Sequence, residues 1–144
     1  MKVDVKWQGM DSLKADLDAL TKNMQGSVIR TGLQAVAKYV VTQAESNVSA
    51  RRLKKGTLGY KASYNGPKAT ARVGGKKGSK HFRLVHLVEK GTRPHRVNHP
   101  GTQPRPFLQP AVENNLAEIN RKFVSAVRGR LDKVRLSILK KRGI

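Results

Sequence analysis

Leu84-Val85-His86-Leu87-Val88-Glu89-Lys90-Gly91-Thr92, then a loop rich in Pro, His and Arg, then Pro106-Phe107-Leu108-Gln109-Pro110-Ala111: the fold of this 144-residue chain is decided on this stretch. It holds five of the six prolines and three of the four histidines, which makes it the least generic part of the sequence. It also joins two compositions, a glycine-rich basic segment before it and a long amphipathic pattern after it. Gly91 permits a positive φ, so the chain can turn sharply after Glu89, and Thr92 can satisfy backbone amides freed by the turn. The loop from Arg93 to Arg105 is too proline-rich for regular structure, and its length points to binding rather than simple connection.

Downstream, Pro106 suits the first turn of a helix, where a missing N–H costs nothing. Leu108, Val112, Leu116, Ile119, Phe123, Val127, Leu131, Val134 and Ile138 then recur at spacings of three or four. The pattern predicts one helix of about 30 residues that tolerates Gly129 at a cost of about 1 kcal/mol. Its other face carries Arg121, Lys122, Arg128, Arg130, Lys133 and Arg135, and residues 140–144 read as a fraying basic tail.

Upstream, residues 81–88 are compatible with a short helix or a strand. Gly74-Gly75-Lys76-Lys77-Gly78-Ser79-Lys80 reads as a flexible basic loop. It lacks the residue order of a phosphate-binding loop and no helical pattern follows directly, so it is read as a loop touching phosphate backbone or an acidic neighbour. Leu58, Tyr60, Ala62 and Tyr64 alternate with polar or small residues, Asn65-Gly66 is a hairpin signal, and Ala69, Ala71 and Val73 alternate after it. An antiparallel hairpin of residues 57–64 with 68–74 is expected, with Pro67 loosening its turn or lying on an edge. Arg51, Arg52, Lys54 and Lys55 make the preceding connection basic.

Further back, Val28, Ile29, Leu33, Val36, Ala37, Val40, Val41 and Ala44 form one broad apolar stripe, a core helix whose small Ala37 and Ala44 allow close approach. Before it, Asp11 or Ser12 can cap a helix carrying Leu13, Leu17, Leu20 and Met24, bent or broken at Gly26. Val3, Val5 and Trp7 alternate with Lys2, Asp4 and Lys6 as a short half-buried strand ended by Gly9. The expected fold is α+β: a small antiparallel sheet of three to four strands packed by two long helices, with an extended proline-rich loop. Residues 1–139 make a single domain.

The formal net charge of +21 is unevenly spread. Residues 46–112 hold fifteen Lys or Arg against Glu89 alone, whereas the first 45 residues hold six basic and five acidic groups. Such a field calls for a polyanion or an acidic protein surface close by. With no cysteine, the chain has no disulfide or thiolate metal site, which fits a reducing cytosol. The first residues lack the apolar core of a secretory signal, and no apolar run approaches the roughly 20 residues of a membrane span, so no membrane association is expected.

The chemistry-bearing residues are weak candidates for catalysis. His81 with His86, and His95 with His99, pair in sequence, but Glu89 is the only acid nearby and the basic surroundings disfavour a divalent cation. The run His95-Arg96-Val97-Asn98-His99 has a nuclease-like look without the ligand spacing a metal site needs. Acids are too scarce for general acid–base work, so neither enzyme activity nor a cofactor is expected. Glu89 reads either as a solvated charge or, preferred here, as one half of an ion pair with an Arg of the same or a neighbouring subunit that fixes the Gly91 turn. Tyr60 and Tyr64 share one face of the hairpin, where sheet packing outweighs base stacking.

The order of these features resembles the tail-component, or tail-completion, family of long-tailed bacteriophages. The resemblance rests on Gly9, on Leu13, Leu17 and Leu20, on Ala35 to Ala44, and on Gly56-Thr57-Leu58 and Val73-Gly74. It rests above all on Val88-Glu89-Lys90-Gly91-Thr92 followed by Pro106-Phe107-Leu108-Gln109-Pro110-Ala111. The chain departs from the pattern where Thr57 follows Gly56 rather than preceding it, and where His81-Phe82 stands in place of a Tyr-Ala pair. The resemblance implies a structural virion protein of the neck or tail, assembled in the bacterial cytoplasm and forming a sixfold ring with copies of itself and other neck or tail proteins. Under this reading Glu89, Gly91, Thr92, Arg93, Arg96, Arg105, Phe107 and Leu108 are expected to contact neighbouring subunits or partners. Arg51, Arg52, Lys54, Lys55, Lys76, Lys77 and Lys80 are expected at duplex DNA backbone without reading its sequence. The alternative is a stand-alone basic nucleic-acid-binding protein.

Overall fold

The computed structural model describes residues 11–48, 53, 56–65, 68–94 and 97–143. The strand expected at Val3–Trp7, the basic residues Arg51, Arg52, Lys54 and Lys55, the Gly66-Pro67 pair, His95, Arg96 and Ile144 lie outside the described residues. The described chain is α+β: α1 (Asp11–Asp18), α2 (Lys22–Asn47), β1 (Leu58–Asn65), β2 (Lys68–Gly75), α3 (Leu84–Lys90), α4 (Leu108–Glu113) and α5 (Leu116–Lys141).

Among the described residues the sheet has two strands, and the further strand expected at residues 3–7 lies outside them. Residues 81–88 add no strand: Ser79, His81 and Phe82 carbonyls accept from Phe82, Leu84 and Val85 amides, and this turn winds directly into α3. Within α3, Val85 is buried while Leu84 and Val88 pack beside it, a helical stripe rather than an alternating one. β1 and β2 pair antiparallel from Leu58 with Gly75 to Asn65 with Lys68. Asn65, expected in the turn, is therefore the last paired residue of β1, opposite Lys68.

The first helix ends earlier than its leucine spacing predicts. α1 stops at Asp18, and the amide nitrogen Nε2 of Gln25 donates to the carbonyls of Leu17 (2.8 Å) and Leu20 (3.1 Å). One side chain thus ties the corner between α1 and α2. Gly26 does not break the helix; α2 runs through it to Asn47. A Cβ at Gly26 would lie 2.9 Å from Cδ1 of Tyr64, so this glycine lets the hairpin approach the helix.

α2 and α5 are 26 residues each and pack against one another. They approach closely at Gly32, where a Cβ would stand 2.6 Å from Cγ2 of Val127 and 2.8 Å from Cε2 of Phe123. The core forms two clusters along this pair. One gathers Val40, Ala44, Leu53, Leu58, Val85, Phe107, Ala111 and Ile119; the other gathers Leu13, Leu17, Val28, Leu33, Phe123, Val127 and Leu131. Ala37 and Ala44 are buried, as the stripe requires.

The long C-terminal helix is divided. α4 ends at Glu113 and α5 begins at Leu116, although the apolar period runs unbroken across the gap. Asn115 explains the break. Its Nδ2 donates to the carbonyl of Ala111 (3.0 Å), the acceptor its own backbone N–H would take in a continuous helix, and that N–H goes to Val112 instead (3.2 Å). The side-chain oxygen of Asn115 accepts from the Tyr39 hydroxyl (3.1 Å), which fixes the arrangement to α2. At the far end the helix persists to Lys141, so the basic tail is helical further than expected.

Candidate functional site

The site is an arm that leaves the core after α3 and returns at α4. Its two ends are clamped together. Thr92 and Thr102 form an antiparallel bridge, with Thr92 N–H donating to Thr102 O (3.0 Å) and Thr102 N–H donating to Thr92 O (3.1 Å). The Thr102 amide also reaches Thr92 Oγ1 (3.0 Å), and the two hydroxyls bond to one another (3.0 Å). Below the bridge, Arg105 N–H donates to Val88 O (2.8 Å).

A glycine precedes each threonine. Gly91 has φ +71° and Gly101 φ +80°. A Cβ on Gly91 would meet Thr102 O at 2.5 Å, and one on Gly101 would overlap Thr92 O. Both positions demand the left-handed region and a bare Cα at once. Sequence reading singled out Gly91-Thr92 but missed Gly101-Thr102. The signal was present as the same dipeptide ten residues later.

Glu89 locks the base of the arm. Its carboxylate accepts the backbone N–H groups of Phe107 (2.7 Å), Leu108 (3.0 Å) and Gln109 (3.1 Å). These are the unpaired amides at the start of α4, and the next residue, Pro110, has no N–H to satisfy. A single carboxylate and a single proline therefore account for the whole first turn, with the negative charge at the positive end of the helix. The intrachain partner of Glu89 is backbone, not the arginine that sequence reading favoured. The ion pairs found among the described residues are Arg121 with Glu118 (3.3 Å) and Arg135 with Asp16 (2.8 Å).

The expected contact residues divide accordingly. Glu89, Gly91, Thr92 and Arg105 are brought together at the arm's base. Phe107 is only 1% exposed and sits in the first core cluster, so its side chain anchors the arm's return rather than presenting a surface. Leu108 is half-buried beside the same cluster. Arg93 and Pro94 are exposed, and beyond them Val97 is fully exposed, the most exposed large apolar side chain described. His99 Nδ1 accepts from Gly101 N–H (3.3 Å), so it is used in shaping the loop. Arg96 lies outside the described residues, as do Arg51, Arg52, Lys54 and Lys55 of the expected DNA contacts.

Lys76, Lys77 and Lys80 are exposed on the connection between β2 and α3. This connection is a bonded turn and not the loose loop expected: Lys76 N–H donates to Thr57 O (2.7 Å) and Ser79 N–H to Lys76 O (3.0 Å). A second basic surface lies on α5, where Arg121, Lys122, Arg128, Arg130, Lys133 and Arg135, read from sequence as the helix's polar face but not as DNA contacts, are all exposed. Among the described residues no group of three or more His, Asp or Glu is arranged to hold a metal, and no helix is long and apolar enough to cross a membrane.

Tyr64 packs at Gly26 in keeping with sheet packing, and Tyr60 is about half exposed. Comparison of the chain with protein-family models, with curated proteins and with solved structures finds no match in any of the three.

Proposed function

We propose that the chain is a structural, non-catalytic subunit of the neck or tail of a long-tailed bacteriophage. It acts in tail completion or head–tail joining, as a ring of its own copies around the DNA channel. The observation that carries this reading is the clamped arm. A loop that served only as a connection would not need two left-handed glycines, a double threonine bridge and a three-amide carboxylate clamp at its base. Ordering the arm in advance lowers the entropy lost when it docks on a neighbour. An arm on one face that binds a different face of the next copy makes a heterologous contact, and such contacts form a ring when the rotation from copy to copy closes.

The charge of +21 supports a polyanion at the ring's lumen, where non-specific contact with duplex phosphates needs no groove reading. The proposed sheet is wider than the hairpin, with residues 3–7 as a further strand. The alternative reading, a stand-alone basic nucleic-acid-binding protein, draws on the same charge and on the exposed basic face of α5. Light scattering with and without duplex DNA separates the two. A multimer of defined mass, or a monomer that assembles only on neck or tail proteins, supports the proposal. A monomer that binds duplex DNA with a steep salt dependence supports the alternative.

A further inference from the structure

The solvent side of α5 carries its cations in two rows. A helix advances about 100° per residue, so Arg121, Arg128 and Arg135, at steps of seven, drift by only about 20° each and make one row. Lys122, Lys133 and Lys140, at steps of eleven and seven, make the other. The rows stand about 130° apart around the axis and straddle the side opposite the buried Ile119, Phe123, Val127 and Leu131. All six cations are exposed. Arg121 pairs with Glu118 and Arg135 with Asp16, whereas Arg128, Lys133 and Lys140 have no ion pair among the described residues. Asp132, the one acid in residues 119–144, is exposed between the rows.

We infer that this face of α5, rather than the turn at residues 76–80, lies along duplex DNA, with the arginine row on phosphates to one side of the helix and the lysine row on phosphates to the other. The inference rests on the reading that the charge of +21 serves a polyanion, and it holds for a ring and for a solitary subunit alike. Charge complementarity selects the occupant. A protein partner calls for apolar or aromatic anchors at the centre of the face and for few lysines. Between Leu116 and Leu136 of α5 no large apolar side chain is exposed. At a rise of about 1.5 Å per residue the arginine row is about 21 Å long and the lysine row about 27 Å, and duplex DNA offers one phosphate charge about every 1.7 Å of its axis. The major groove, about 12 Å wide, admits a helix, so rows on two flanks meet both phosphate walls without any base being read. Gly129 lies on the same face, where an added Cβ would meet open space. It weakens the helix relative to alanine with no packing contact that requires it, and it leaves the backbone open to close approach. The turn at residues 76–80 has three cations in five residues and no second row.

Fluorescence anisotropy of a labelled random-sequence duplex, titrated with the intact chain over a range of salt, tests this. Each phosphate contact contributes a slope of about 0.9 in log K against log salt, or about 5-fold in affinity at about 0.15 M salt. The combined variant Arg128→Gln, Lys133→Gln, Lys140→Gln is expected to bind about 100-fold more weakly, with a slope smaller by about 2 to 3. The combined variant Lys76→Gln, Lys77→Gln, Lys80→Gln removes the same charge from the turn and is expected to lose less than about 5-fold. Asp132→Asn is expected to tighten binding several-fold, and Asp18→Asn, the same charge change on α1, to leave it within about 2-fold. All these positions are exposed, so circular dichroism and the urea midpoint should stay those of the intact chain. A turn variant that loses as much as the α5 variant overturns the inference and leaves the polyanion reading standing. So does an Asp132→Asn chain that binds no tighter than Asp18→Asn. An intact chain that binds no duplex at low salt overturns both. Polyglutamate bound as tightly as duplex, and weakened by the same α5 variant, overturns the inference in favour of an acidic protein surface.

Discussion

Replacing Glu89 by alanine removes the acceptor for three backbone amides at once, at 2.7, 3.0 and 3.1 Å. Hydrogen bonds to a charged group contribute about 1.5–3 kcal/mol each in favourable cases. Glu89 is half-buried and water can reach part of the vacated turn, so the sum is well below three full bonds. Loss of an N-terminal cap alone costs about 0.5–2 kcal/mol. Together these place Glu89→Ala at about 2–3 kcal/mol. With a urea m-value of about 2 kcal/mol/M, the unfolding midpoint should fall by roughly 1–1.5 M. Glu89→Gln keeps one carbonyl acceptor and should lose about half as much. Glu118→Ala removes an exposed ion pair with Arg121 and should cost less than about 0.5 kcal/mol. Urea titrations followed by circular dichroism measure all three. If Glu89→Ala unfolds at the same midpoint as Glu118→Ala, the clamp does not hold α4 and the account of the arm's base is wrong.

Gly32→Ala should destabilise by about 1–3 kcal/mol despite a helix-propensity gain of about 1 kcal/mol, because the new Cβ meets Val127 and Phe123; the urea midpoint reads this. Gly101→Ala should cost about 2 kcal/mol or more through its left-handed φ and its overlap with Thr92 O. In that variant the amides of Thr92 and Thr102 should exchange with deuterium faster, with the amides of α2 unaffected. Asn115→Ala should cost about 1–2 kcal/mol by removing the bonds to Ala111 and Tyr39. Its helical circular dichroism should stay equal or rise, since the interruption between α4 and α5 loses its cause.

What could be read from the sequence was whatever repeats. The stripe of α2 and the apolar period of α5 are long enough to declare themselves, and the paired strands lie within a residue of their alternating patterns. What could not be read was decided by a partner far along the chain. Gly26 has the composition of a helix breaker, and only Tyr64 lying against it turns it into a point of close approach. Asn115 interrupts a helix whose apolar spacing does not falter, because its side chain competes for a carbonyl and is held by Tyr39. The importance of Glu89 and the sharp turn at Gly91 were legible. The target of the carboxylate was not, because an acid in a basic field points to an arginine while the actual acceptor geometry is set by amides 18 to 20 residues away.

The central claim is that a pre-ordered arm with Val97 at its exposed part docks one copy of the chain onto the next. Light scattering on the intact chain and on Val97→Asp, across a range of concentrations, tests it most directly. Val97 is fully exposed, so the substitution should leave the unfolding midpoint unchanged. The account predicts a multimer of fixed mass for the intact chain and a monomer for Val97→Asp. An intact chain with the same mass as the variant at every concentration, with or without its assembly partners, would contradict it.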